Sequence, residues 1–105
     1  MVNDSLSENT MNESNPSDAA LAELMTLSMV VDVWGNHHYY NHLGQLHRVH
    51  GPAYISTKNL RFWYQNGQLH RVHGPAVEWA NGDVMWYLNS EEFTEREYLE
   101  RVKSL

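Results

Sequence analysis

The chain has 105 residues, enough for one small domain and a modest core. It contains no cysteine, which excludes a disulfide framework, a thiolate zinc site, an iron–sulfur cluster and a cysteine nucleophile. The formal charge of −6 is unevenly spread: residues 1–29 carry −5, residues 30–90 carry +1 and residues 91–105 carry −2, so a near-neutral centre lies between acidic ends.

From Met1 to Asp18 the chain is rich in Asn, Ser, Glu and Asp. Such a segment cannot bury enough apolar surface to offset its ordering entropy, and residues 1–18 are expected to form a disordered acidic tail. No basic region followed by an apolar run precedes it, so no signal peptide is expected. Residues 19–29 turn to Ala, Leu, Glu and Met. The pattern predicts a short helix with Asp18 as N-cap and Leu21, Leu24, Met25 and Ser28 on one face. The apolar-rich stretch from Ala19 to Trp34 is too short for a membrane span and is interrupted by Glu23 and Asp32.

Residues 30–90 hold an internal repeat. GQLHRVHGPA stands at Gly44–Ala53 and again, identical over ten residues, at Gly67–Ala76, a period of 23. In that register Tyr40, Trp63 and Trp86 are equivalent, as are Tyr39, Phe62 and Met85, and Tyr64 and Tyr87. A fixed short period marks a stacked array. Each period reads as a hairpin: Met29–Val33 with His38–Asn41, Ala53–Ser56 with Arg61–Gln65 across a Lys58-Asn59 turn, and Pro75–Trp79 with Val84–Leu88 across Asn81-Gly82. The fold expected is mainly β, an antiparallel meander of about six short strands. Asn66-Gly67 and Gly74-Pro75 bound the linker between copies.

Residues 91–105 read as a C-terminal capping helix. Thr94 and Glu97 form a capping box, Phe93 is placed to staple against Tyr98, and acid precedes base along the segment, matching the helix dipole. So few repeats need caps, or dimerisation through an edge strand, to be stable.

Three groups of side chains are candidates for function. His47, His50, His70 and His73 form two HxxH pairs, the spacing of a metal site, with His37, His38 and His42 nearby. Equivalent residues of successive hairpins lie roughly 10 Å apart, whereas nitrogens on one zinc lie about 3–4 Å apart. The histidines therefore read as linker structure, with no metal or cofactor assigned, and a histidine-based metal-binding protein is the alternative. Arg48 and Arg71 are suited to bonding carbonyls of the neighbouring turn. With Gly44, Gly51, Pro52, Gly67, Gly74 and Pro75 they complete the repeat-structural set. Alternating strand residues point to opposite faces. Tyr40, Trp63 and Trp86 then form one ladder, extended by Tyr54 and Trp79 on companion strands, and this ladder is the expected protein-binding surface. Nucleic acid is disfavoured by the acidic ends. Catalysis is disfavoured because the three central carboxylates are scattered and no phosphate loop or nucleophile elbow is present.

The pattern aromatic-Tyr-x-Asn-Gly-x-x-His-Arg-x-x-Gly-Pro-Ala, repeating over about residues 39–90, resembles the MORN-like repeat variants common in bacteriophage and giant-virus proteins. His50 and His73 stand where that family often has an acidic residue. The resemblance implies a meander of hairpins and an interaction scaffold rather than an enzyme. It further implies a phage accessory protein that binds a host protein in the host cytoplasm and inhibits it by steric masking, the target being a defence or transcription component. A structural module of a larger assembly is a second alternative, and a homodimer is compatible with either.

Overall fold

A computed structural model describes residues 17–105, so of the tail expected over residues 1–18 all but Ser17 and Asp18 lies outside the described residues, and those two are the N-cap and first residue of a helix. Helix α1 spans Asp18–Leu24, and its N-cap is Ser17, one residue earlier than expected. The Ser17 hydroxyl accepts the Ala20 N–H at 3.1 Å, and Asp18 sits in the first turn, where its charge faces the positive end of the dipole. The helix is shorter than the expected 19–29. Ser28 already belongs to strand β1 (Ser28–Val31), because backbone pairing with β2 (His37–Tyr40) captures it there.

The chain then continues as β3 (Tyr54–Ile55), β4 (Arg61–Phe62), β5 (Tyr64–Gln65), β6 (Gln68–Leu69), β7 (Val77–Glu78), β8 (Val84–Leu88) and β9 (Glu91–Phe93). The main sheet has the order β1-β2-β3-β4-β7-β8-β9, with every neighbour antiparallel. The mainly β meander expected from the repeat is therefore present. Two features go beyond it. The β5-β6 ribbon turns through Asn66 (φ 51°) and Gly67 (φ 82°), so the supposed linker start is itself a hairpin with both central residues left-handed. Residues 91–93 form an edge strand rather than helix, reached through Asn89 (φ 50°) and Ser90 (φ 68°) in the same turn geometry.

Three five-residue turns close one end of the sheet. Asp32, Ser56 and Trp79 each donate their N–H to the carbonyl of the residue four ahead, and each fourth residue (Gly35, Asn59, Gly82) has positive φ. The first interval is 24 residues and the second is 23. The extra residue lies in the loop after Tyr40, where Asn41 N–H bonds Gln45 carbonyl, while the second copy closes the same loop as the Gln65–Gln68 pair. The first-copy aromatics therefore shift by one. Tyr39, not Tyr40, is the structural equivalent of Trp63: both donate their N–H to the next repeat's alanine, Ala53 and Ala76, and both accept from the linker histidine. The Tyr40–Trp63–Trp86 ladder read from the 23-residue period is thus corrected to Tyr39–Trp63–Trp86.

The small core sits where the repeats meet: Ala53, Ala76, Val77, Trp63 and Leu88 are buried, with Ser56 beside them. Helix α2 (Glu95–Val102) closes this layer and has the expected capping box, with Thr94 Oγ1 accepting Glu97 N–H and Glu97 Oε1 accepting Thr94 N–H. The staple is not formed between Phe93 and Tyr98. Tyr98 turns inward onto Trp86, with ring centroids 4.8 Å apart, and Phe93 lies beneath the Arg101 guanidinium instead. Among the described residues no helix is long and apolar enough to cross a membrane.

Tyr98 is 2 % exposed, and its hydroxyl donates to the Arg71 carbonyl while accepting the Gly74 N–H at 3.2 Å. Tyr98→Phe leaves both backbone groups without that partner and should cost about 1–3 kcal/mol. Urea denaturation should show a lower midpoint with an unchanged slope.

Candidate protein-binding face

The two faces of the sheet differ in how their aromatic rings are covered. On one face each ladder ring has a lid. The Arg48 guanidinium lies 4.3 Å above the Tyr39 ring centroid, and that of Arg71 lies 3.7 Å above Trp63. Tyr98 covers Trp86. Trp63 is consequently only 8 % exposed, which corrects its expected place on a binding surface. Trp86, half-buried under α2, is likewise engaged inside the molecule.

The sequence of the linker explains the lids. Each arginine folds back within its own loop, where Arg48 Nη1 donates to the Pro52 carbonyl at 3.4 Å and Arg71 Nη1 to the Pro75 carbonyl at 3.0 Å. The expected bond to a neighbouring turn is made by backbone instead: the Arg48 and Arg71 N–H groups reach the carbonyls of Tyr64 and Tyr87. Glycine follows three residues later because the guanidinium passes against its backbone. A Cβ at Gly51 or Gly74 would lie 2.7 or 2.9 Å from the guanidinium carbon. A planar cation between an aromatic face and a glycine backbone is a compact, desolvated arrangement that lysine could not reproduce.

The linker histidines are committed to structure in the same way. His47 Nδ1 accepts the Asn66 N–H at 2.9 Å and His70 Nδ1 accepts the Asn89 N–H at 3.0 Å, so each ring ties its loop to the turn of the following copy. No group of three or more metal-donor residues is gathered among the described residues. Gly44 has φ +78° with open space around its α-carbon, and Gly67 has φ +82°, so both serve turn geometry.

The opposite face carries a continuous row of rings. His38 meets Tyr40 at 6.1 Å and Tyr54 at 4.9 Å, Tyr54 meets Phe62 at 5.6 Å, and Phe62 meets Trp79 at 5.9 Å. The row follows the strand pairing, since His38 opposes Tyr54 and Tyr54 opposes Phe62. Cross-strand pairs of this kind add roughly 0.2–1 kcal/mol each. Of the five residues expected to form the surface, Tyr40, Tyr54 and Trp79 are brought together here, while Trp63 and Trp86 belong to the covered face.

Three contributors were not singled out from sequence. His38 and Phe62 join the row only through strand register. Trp34, in the β1-β2 turn, is 75 % exposed beside Tyr54 and Lys58, with a cleft of about 300 Å³ between them. Its position was legible from Asp32 and Gly35, which bracket a turn. Trp79, 40 % exposed, begins the equivalent turn of the last hairpin, so both tryptophans stand at one end of the sheet.

Asp32 organises that end. Its Oδ1 accepts the N–H groups of Trp34 (3.0 Å) and Asn36 (2.9 Å), and its Oδ2 lies 3.0 Å from His38 Nε2. The His38 bond, with help from Asn36 and Trp34 against some desolvation, holds the carboxyl at about 2, below its usual 3.8. His70 is lowered too, from 6.5, but by a different cause: burial disfavours its charged ring.

No family model matches the chain, and no curated protein or solved structure is significantly similar to it.

Both shifts predict acid lability in separate windows. Below pH 6.5 the unfolded chain takes up a proton at His70 more readily than the folded one, so this contribution is complete above 6.5 and lost as pH falls. The Asp32 contribution is complete above pH 3.8 and lost as pH falls towards about 2. Thermal melting across pH should show both declines, His70→Gln flattening the first and Asp32→Asn the second.

Proposed function

We propose that this chain is a non-enzymatic protein-binding module. Its contact surface is the aromatic row, with Trp34 beside Tyr54 and Trp79 beside Phe62 at the turn end of the sheet and Tyr40 at the far end of β2. The exposure of two tryptophans on hydrogen-bonded turns at the same end of the sheet carries this reading, because a large ring held in place loses little conformational entropy on docking and excludes much water. Several side chains that general acid–base chemistry could use are engaged in structural bonds. Asp32 is bonded to His38, Glu78 lies 3.3 Å from Arg71, and His47 and His70 accept backbone N–H groups.

The resemblance to MORN-like repeats supports a finer reading. In it the chain is a phage accessory protein that masks a host defence or transcription protein in the host cytoplasm. The partner's surface would be complementary to a flat aromatic strip edged by Lys58 and Asp83. A homodimer through the open edge of β1, whose four residues are all exposed, is compatible with this role.

The test is capture of the partner from host-cell lysate on the full chain, followed by calorimetry with the purified partner. Trp34→Ala and Trp79→Ala should each weaken binding about tenfold or more, Trp34→Ala leaving the melting temperature nearly unchanged and Trp79→Ala lowering it through the lost Phe62 contact. Wild-type affinity in both folded variants would remove this surface from consideration.

A further inference from the structure

The two linker loops of identical sequence differ in what meets the N–H groups of their valine and second histidine. In the first, the Glu23 carboxylate of α1 is clamped by consecutive backbone N–H groups, with Val49 donating to Oε2 and His50 donating to Oε1 at 2.9 Å. In the second, no acceptor among the described residues meets the N–H groups of the equivalent Val72 and His73. Several other bonds are equivalent in the two loops. The arginine N–H, the arginine fold-back onto the proline carbonyl, the histidine Nδ1 and the alanine N–H have the same partners in both copies. In the second loop alone, Tyr98 bonds the Gly74 N–H and the Arg71 carbonyl, leaving the Val72 and His73 N–H groups untouched. Two adjacent N–H groups pointing to one spot form a concave anion site, and a carboxylate bonds such a pair more strongly than a neutral oxygen does.

We propose that the second loop is a binding site for a side-chain carboxylate presented by an acidic polypeptide segment, with the Val72 and His73 N–H groups as its donors. Glu23 in the first loop is the template for the bound geometry. Space exists for such a ligand: a cleft of about 430 Å³ lies between the two loops, reaching Gln65, Arg71, Val72 and His73. His73 at its rim is exposed. The nearby charge favours an anion, because Arg61 and Arg71 share the single carboxylate of Glu78. This site lies at the end of the sheet opposite Trp34 and Trp79 and stands independently of the reading of that surface.

The carboxylate can come from a second polypeptide or from Asp4, Glu8 or Glu13 of the same chain. Amide NMR of the full chain distinguishes them. The probe is a synthetic peptide copying Ser17–Leu27, which carries Glu23. The Val72 and His73 amide signals should move downfield saturably with this peptide, and replacing its glutamate by glutamine should weaken the effect about tenfold or more. If the chain's own acidic residues fill the site, those two signals will already match Val49 and His50 in the free protein. They will then shift back in the Asp4→Asn, Glu8→Gln, Glu13→Gln variant. Either result supports the site. Equal response to both peptides, or no response of Val72 and His73 in either experiment, overturns it.

Discussion

The arrangement depends on a guanidinium laid flat between an aromatic ring and a glycine. Arg71 over Trp63 at 3.7 Å, and Arg48 over Tyr39, each fill the space that a hydrophobic side chain would occupy in a larger protein. With strands of two to five residues, the sheet has little apolar surface of its own. The loop fold-back supplies cover for the ladder ring, satisfies a proline carbonyl and leaves the arginine N–H free to bind the next copy. One ten-residue segment thus makes both a piece of core and a repeat-to-repeat joint.

The ends of the array follow from the same constraint. A third arginine loop does not follow Trp86, and Tyr98 from α2 takes its place, stacking on the ring and bonding Arg71 and Gly74 with its hydroxyl. At the other end Glu23 fastens α1 to the first loop through backbone N–H groups. The two helices therefore end the repeat differently. The C-terminal one completes the core, and the N-terminal one satisfies a loop at the surface.

Because one face of the sheet is closed by these lids, its rings are removed from solvent. The other face is held by ring-to-ring contacts across strands, from Tyr40 to Trp79. Aromatic side chains serve two physical ends in this chain: as buried platforms for arginine on one side and as a half-exposed strip on the other. The strip ends at turns stiffened by Asp32 and by Asn81, whose side chains bond backbone N–H groups within their turns, so Trp34 and Trp79 project from defined positions.

Much of this was legible in the sequence because it is local. The ten-residue repeat fixes the hairpin meander, Asn-Gly and Gly mark turns that need positive φ, and Thr94 with Glu97 announces a helix whose cap is satisfied within four residues. The one-residue offset of the first copy was not legible, since His42 and Leu43 lie in a loop where an extra residue leaves no periodic signature. That offset exchanged Tyr39 for Tyr40 and so altered the assignment of faces. Strand β9 was missed because Glu91 and Glu92 have weak strand preference and are held by pairing with β8. By itself, then, the sequence determined the repeat, its turns and its closing helix, all of which arise from contacts between near neighbours. Only the tertiary structure decided which tryptophans are covered, which are exposed, and that Glu23 fills one linker loop, because those outcomes depend on which loop or helix folds over which ring and on contacts as distant in sequence as Glu23 to His50.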